Sequence, residues 1–138
     1  MNNSALIDQA SAVIRARRNG DYTVGDVGCA LVTDKGNLYL GVCIDTQSGM
    51  GFCAEHNAIG AMTTAGETRI AKIVAVWKGG ADQAGKGEHV LSPCGRCREF
   101  IYQTDKRNID TEVILGDAKS VRLSELLPYH DWFKPRAG

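Results

Sequence analysis

A layered α/β sandwich is the fold this chain predicts, and three features point to it. Short apolar runs alternate with segments of helical spacing; a turn of hairpin chemistry joins the first two runs; and helices separate the later runs, which calls for parallel pairing. The chain has 138 residues, 43% of them hydrophobic and 23% charged. That size and balance suit one domain across residues 1–138 with a core that needs no disulfide staples.

Residues 4–17 carry Leu6, Ile7, Ala10, Val13 and Ile14 at close to helical spacing, with Ser4 as N-cap and Gly20 as stop. Val27–Thr33 and residues 38–44 read as strands around the turn Asp34-Lys35-Gly36-Asn37, a hairpin. Residues 53–63 are rich in Ala, with Ile59 and Met62 on one face, and predict a helix. Residues 70–77 form an apolar strand, and residues 78–90, with many Gly and charged positions, a loop. Ser92-Pro93-Cys94 leads into a helix running to about Gln103. Residues 112–115 are a short strand, and Ser124 caps a last helix that Pro128 ends.

Formal net charge is zero, which argues against a nucleic-acid partner held by a basic field. Residues 1–10 are polar, with no basic segment leading into an apolar one, and no stretch is long enough to span a membrane. The expected setting is cytoplasmic, where thiols stay reduced. Five cysteines, an odd count, then call for a reading other than disulfides.

Three of the five stand in chemically suggestive places. Cys94 and Cys97, three apart at a helix start, can aim both sulfurs at one external point. Cys53 opens the other helix. If the two helix starts meet, three thiolates converge where both helix dipoles favour them. Three protein ligands would leave a fourth tetrahedral position for water, the arrangement of a catalytic Zn²⁺ site. Glu55, two residues from Cys53, can then lie beside the metal without binding it and move protons. A rival reading uses the same residues: Cys53, His56, Cys94 and Cys97 would make a closed structural Cys₃His zinc knot that binds a partner. Cys29, inside an apolar strand, reads as a core residue, as does Trp77 at a strand end; His89 and His130 read as surface or capping residues.

Cys53-Ala54-Glu55, followed roughly forty residues later by Ser92-Pro93-Cys94-Gly95-Arg96-Cys97-Arg98, resembles the cytidine deaminase superfamily in its small branch with three cysteine ligands. Tyr22-Thr23 with Val27-Gly28-Cys29-Ala30-Leu31, Gly41-Val42 and Glu125-Leu126-Leu127-Pro128 extend the resemblance over most of the chain. It implies a three-layer cytidine-deaminase-like sandwich with a mixed sheet. It also implies a hydrolytic deaminase acting on a small-molecule aminopyrimidine, not on nucleic acid and not at a membrane. Water activated at the zinc attacks the carbon bearing an exocyclic amine, Glu55 relays protons to the ring nitrogen and the leaving amine, and ammonia departs. The backbone around Ala54 would contact the substrate amine. Family members of this size are homotetramers, so a homotetramer is expected.

The chain departs from the pattern where the family grips ribose. Gly25 stands where an aromatic residue is usual, Cys43-x-Asp45 where Asn-x-Glu is usual, and His56 where Arg is usual. A thiol cannot both donate and accept as an amide does. Arg96 between the two cysteines and an aromatic tail with Tyr129, Trp132 and Phe133 resemble the blasticidin S deaminases, a sister group. The expected substrate is a free cytosine-type nucleoside or nucleoside-like compound met by Gly25, Cys43, Asp45, Ala54 and Trp132, with cytidine handled poorly.

Overall fold

The computed structural model describes residues 1–79, 87–131 and 133–137. Its elements are α1 (Asn3–Ala12), β1 (Arg17–Asn19), β2 (Tyr22–Val24), β3 (Val27–Thr33), β4 (Leu38–Val42), α2 (Ala54–Thr64), β5 (Ile70–Lys78), β6 (Glu88–Leu91), α3 (Gly95–Thr104), a 3₁₀ turn (Lys106–Asp110), β7 (Glu112–Gly116), β8 (Lys119–Arg122) and α4 (Leu123–Leu126). Among these described residues, no helix is long and apolar enough to cross a membrane.

Six strands form one mixed sheet, in the order β4-β3-β5-β7-β8, with β6 also on β5. The β3–β4 hairpin is antiparallel, as its turn chemistry requires, and β3 pairs antiparallel with β5 along nearly its whole length. The other edge of β5 is shared. Lys72 and Ile73 pair in parallel with Glu112 and Val113 of β7, while Ala75–Lys78 pair antiparallel with β6. Parallel pairing after α3 is the crossover that the alternation of helix and strand implies.

Side chains that alternate along each strand divide the core in two. Ala30, Val74, Val76 and Ile114 face α1 and meet Leu6, Ile7 and Ala10. Cys29, Leu31, Ile73 and Val113 face the other way and meet Ala58, Ile59 and Met62 of α2 and Ile101 and Tyr102 of α3. The result is three layers, helix on sheet on helix. Cys29 is fully buried in this second core, as its apolar strand implies. Close approach of α2 to the sheet depends on Gly41, where a Cβ would stand 2.3 Å from the backbone N of Ala58.

Several boundaries differ from the sequence reading. The cap of α1 is Asn2, whose side chain accepts from the N–H of Ala5 at 2.8 Å; Ser4 lies inside the first turn and donates to Asp117 instead. That helix ends at Ala12 because residues 17–24 make a small antiparallel hairpin, β1–β2, in which Gly20 (φ +62°) turns the chain rather than stopping a helix. The segment read as a loop supplies the last residue of β5, Lys78, and all of β6 but Leu91. Strand β8 carries too little apolar signal to be seen in advance. At α4 the cap position is Arg122, whose N–H is held by the Glu125 carboxylate at 3.1 Å, and Ser124 sits one residue inside.

Candidate active site

Cys53 and Cys94 are the N-caps of α2 and α3. Both have extended backbone, and neither side chain is spent on capping its own helix. Both sulfurs are therefore free to face outward, toward the end where each helix presents unpaired N–H groups and a partial positive charge. The two helix starts meet. Cys53 Sγ lies 4.0 Å from Cys94 Sγ, and Cys94 Sγ lies 3.5 Å from Cys97 Sγ, one turn on. Cys53 and Cys97 lie within 4.8 Å of each other and of a ring nitrogen of His56.

These separations suit zinc. A tetrahedral ion with Zn–S bonds of about 2.3 Å sets its sulfurs about 3.8 Å apart. The thiols' acidities also favour a cation. Burial pushes the Cys53 thiol up, and burial with the nearby Glu55 charge pushes Cys97 up. Burial also opposes ionisation of Cys94, but the backbone N–H of Cys97, the neighbouring sulfurs and the N–H of Arg96 outweigh it and hold that thiol below its ordinary range. One thiol shifted toward ionisation beside two that burial holds back is a set that a divalent cation would complete.

Glu55 stands in the first turn of α2 and is only 6% exposed. Burial raises its carboxyl pKa above the ordinary value. It reaches a cavity of about 590 Å³ whose lining includes all three cysteines, Ala54, Cys43 and Asp45. A buried carboxyl with raised pKa at the floor of a cavity, beside clustered thiols, is the equipment of a proton carrier.

The chain matches the family model of the cytidine and deoxycytidylate deaminase zinc-binding region over residues 2–112. It belongs to that family. Blasticidin-S deaminase of Bacillus cereus is a relative, 38% identical over 76 residues, a match covering 54% of this chain and 54% of that one. The chain is also similar to the crystal structure of cytidine deaminase from Burkholderia pseudomallei, with 28% identity and a TM-score of 0.72 over 94% of this chain and 98% of that one. Cytidine deaminase from Mycobacterium leprae shares the fold at a TM-score of 0.72, with 24% identity over 93% and 98% of the two chains.

Within this cytidine and deoxycytidylate deaminase-type chain, the expected substrate contacts fall in three groups. Ala54, Cys43 and Asp45 line the cavity. Gly25 is not among its lining residues; with φ +71° it turns the chain and donates its N–H to Asp45 Oδ2 at 2.8 Å. A Cβ there would meet Arg15 O at 2.5 Å, so the missing side chain leaves backbone beside it rather than space. Trp132 lies outside the described residues.

His56 is 8% exposed and lies flat on Phe100, ring centroids 4.2 Å apart, with Nδ1 at 3.6 Å from Cys97 Sγ. Burial, then the Arg96 charge, pulls its pKa below the ordinary value, which favours the neutral ring. Sequence reasoning missed Asp26, which stands behind Cys43, and Phe52, on the cavity rim under Arg96. Phe52 closes the loop 45–51 through an antiparallel bridge to Ile44. Trp77 is half-buried rather than core, because its indole N–H is spent on Asp26 at 2.9 Å. His89 packs against its ring, a partner the sequence did not name.

Proposed function

We propose that this chain is a zinc-dependent hydrolytic deaminase of a free cytosine-type nucleoside or nucleoside-like compound. The observation that carries the proposal is the three-sulfur cluster of Cys53, Cys94 and Cys97 with the buried carboxyl of Glu55 on the lining of one cavity. Cys53, Cys94 and Cys97 would hold the ion. Zinc bound there supplies the Lewis acidity that makes water a nucleophile near neutral pH. Glu55 takes a proton from the attacking water at a carboxylate oxygen and delivers it to the ring nitrogen. Glu55 then takes the second proton, from the hydroxyl now bonded to the ring carbon, and gives it to the amine as the C–N bond breaks, so amine and water become ammonia and a carbonyl. The cavity wall around Cys43 and Asp45 positions the group attached to the ring, with Ala54 beside the reacting amine and Trp132 as a further contact. Because Cys43, on the cavity lining, stands where an amide is usual, cytidine is not the best substrate.

The closeness of His56 Nδ1 to Cys97 Sγ favours a second reading, a closed Cys₃His knot with no open position. Stacking on Phe100 and a neutral ring equally suit His56 as an N–H donor that steadies the Cys97 thiolate. Zinc analysis of His56→Ala together with ammonia release separates the two. The deaminase reading expects zinc retained and turnover reduced; the knot expects the metal to be released and no turnover to lose. The homotetramer and the cytoplasmic setting belong to the same proposal. Exposed Met50, Phe52, Phe100 and Tyr129 offer apolar and aromatic interface material for the former.

A further inference from the structure

One carboxylate, Asp45, lines the cavity, and a second, Asp26, stands behind it against Cys43. Asp45 Oδ2 accepts from the N–H of Gly25 at 2.8 Å and from Cys43 Sγ at 3.1 Å. Asp26 Oδ2 accepts from the indole N–H of Trp77 at 2.9 Å, and its Oδ1 lies 3.8 Å from Cys43 Sγ. All three donors are neutral. Among the described residues, neither carboxylate has an ion pair, and Asp45 Oδ1 accepts no hydrogen bond. Burial first, and then the bond to Asp45, pushes the Cys43 thiol up to about 11, so near neutral pH it is a donor to Asp45.

Nor does the rest of the cavity compensate that charge. Its described lining contains Glu55, Asp45 and four cysteines but no Lys, Arg or His. Asp45, half-buried on the lining of a ligand-sized cavity and fixed by neutral donors, with half-buried Asp26 behind it, is a preorganised acceptor with one oxygen left free. In so anionic a cavity a phosphate would meet like charge, and a cation would supply the missing counter-charge.

We propose that this wall selects substrate by charge: the group attached to the aminopyrimidine ring is a cation, an ammonium or amidinium received by Asp45 with Asp26 behind it, and phosphorylated substrates are rejected. The inference rests on the deaminase reading for what occupies the sulfur end of the cavity. Asp26 and Asp45 are specificity-determining residues in this account, acting on the substituent rather than on the reacting carbon.

The test is a matched series of N1-substituted cytosines: 1-(2-aminoethyl)cytosine, 1-(2-hydroxyethyl)cytosine and the phosphate ester of the latter. Calorimetry gives Kd on the zinc-loaded protein, and ammonia release is followed on the same compounds. The aminoethyl compound is expected to bind at least about tenfold more tightly than the hydroxyethyl one, the scale of one charge-assisted hydrogen bond. The phosphate ester should bind most weakly. Asp45→Asn and Asp26→Asn should each shrink the ammonium preference severalfold, and added salt should narrow it. Equal binding of the ammonium and hydroxyl compounds, tightest binding of the phosphate ester, or no binding of any of the three overturns the proposal. Ammonium preference without ammonia release sinks the deaminase reading alone; ammonia release without that preference sinks the charge selection alone.

Discussion

Cys53 Sγ and Cys94 Sγ lie 4.0 Å apart although 41 positions separate them, because each residue is the N-cap of a helix and the two helices start at the same place. The packing of α2 and α3 on one face of the sheet enforces that meeting, through Ala58, Ile59 and Met62 on one helix and Ile101 and Tyr102 on the other. Purified protein should accordingly hold about one zinc ion per chain. Cys94→Ser with Cys97→Ser should abolish retention through gel filtration against a mild chelator. Stoichiometric zinc in that double variant places the ion elsewhere.

Glu55→Gln keeps the size and burial of the side chain and removes its ability to carry a proton. Zinc content and circular dichroism should match the parent, while turnover falls by about 10²- to 10⁴-fold, the usual worth of general acid–base catalysis. Undiminished turnover in the Gln variant gives the proton transfers to another group.

Sequence patterns exposed the middle of this site and hid its edges. The helix starts at Cys53 and Cys94 were legible because caps and the three-residue cysteine spacing are local features. The β3–β4 hairpin was legible from Asp34-Lys35-Gly36-Asn37. Asp26 was invisible for the opposite reason: its role depends on Trp77 and Cys43, 51 and 17 positions away, and nothing local marks it. The place of Gly25 outside the cavity lining was hidden too, because its positive φ and its close approach to Arg15 carry no local signal. Strands β1, β2, β6 and β8 are three or four residues each, too short for a period of two to stand out.

Stability toward acid should depend on Glu67. Its Oε2 accepts from Tyr39 Oη at 2.6 Å and Asn37 Nδ2 at 2.9 Å, which ties the β3–β4 turn to the end of α2. The Tyr39 hydrogen bond leads the causes that hold this carboxyl below its ordinary pKa. A depressed folded-state pKa contributes stability that is present above the unfolded value of about 4.3 and is lost as pH falls through the folded value. Tyr39 is shifted up by the same bond, so its contribution is present below about pH 10 and is lost as pH rises through its folded value. Urea midpoints of Glu67→Gln and the parent should therefore differ most near neutral pH and converge in acid. A gap that stays constant from pH 7 to pH 2.5 removes the ionised carboxylate from the account.

A homotetramer should be the dominant species by light scattering at micromolar concentration. Replacing Phe52 and Phe100, 47% and 38% exposed, with Ser should shift it toward smaller species, since burying such rings is what an interface gains. A parent protein that elutes and scatters only as a monomer rules the assembly out.

Ammonia release by zinc-loaded protein, measured on cytosine, cytidine, 2′-deoxycytidine and blasticidin S under one set of conditions, tests the central claim most directly. The expected result is catalytic release from at least one compound, abolished in Glu55→Gln, with cytidine not the best of the four. No ammonia from any of them, from protein carrying one zinc per chain, would contradict a deaminase assignment and leave the closed Cys₃His knot as the reading of these cysteines.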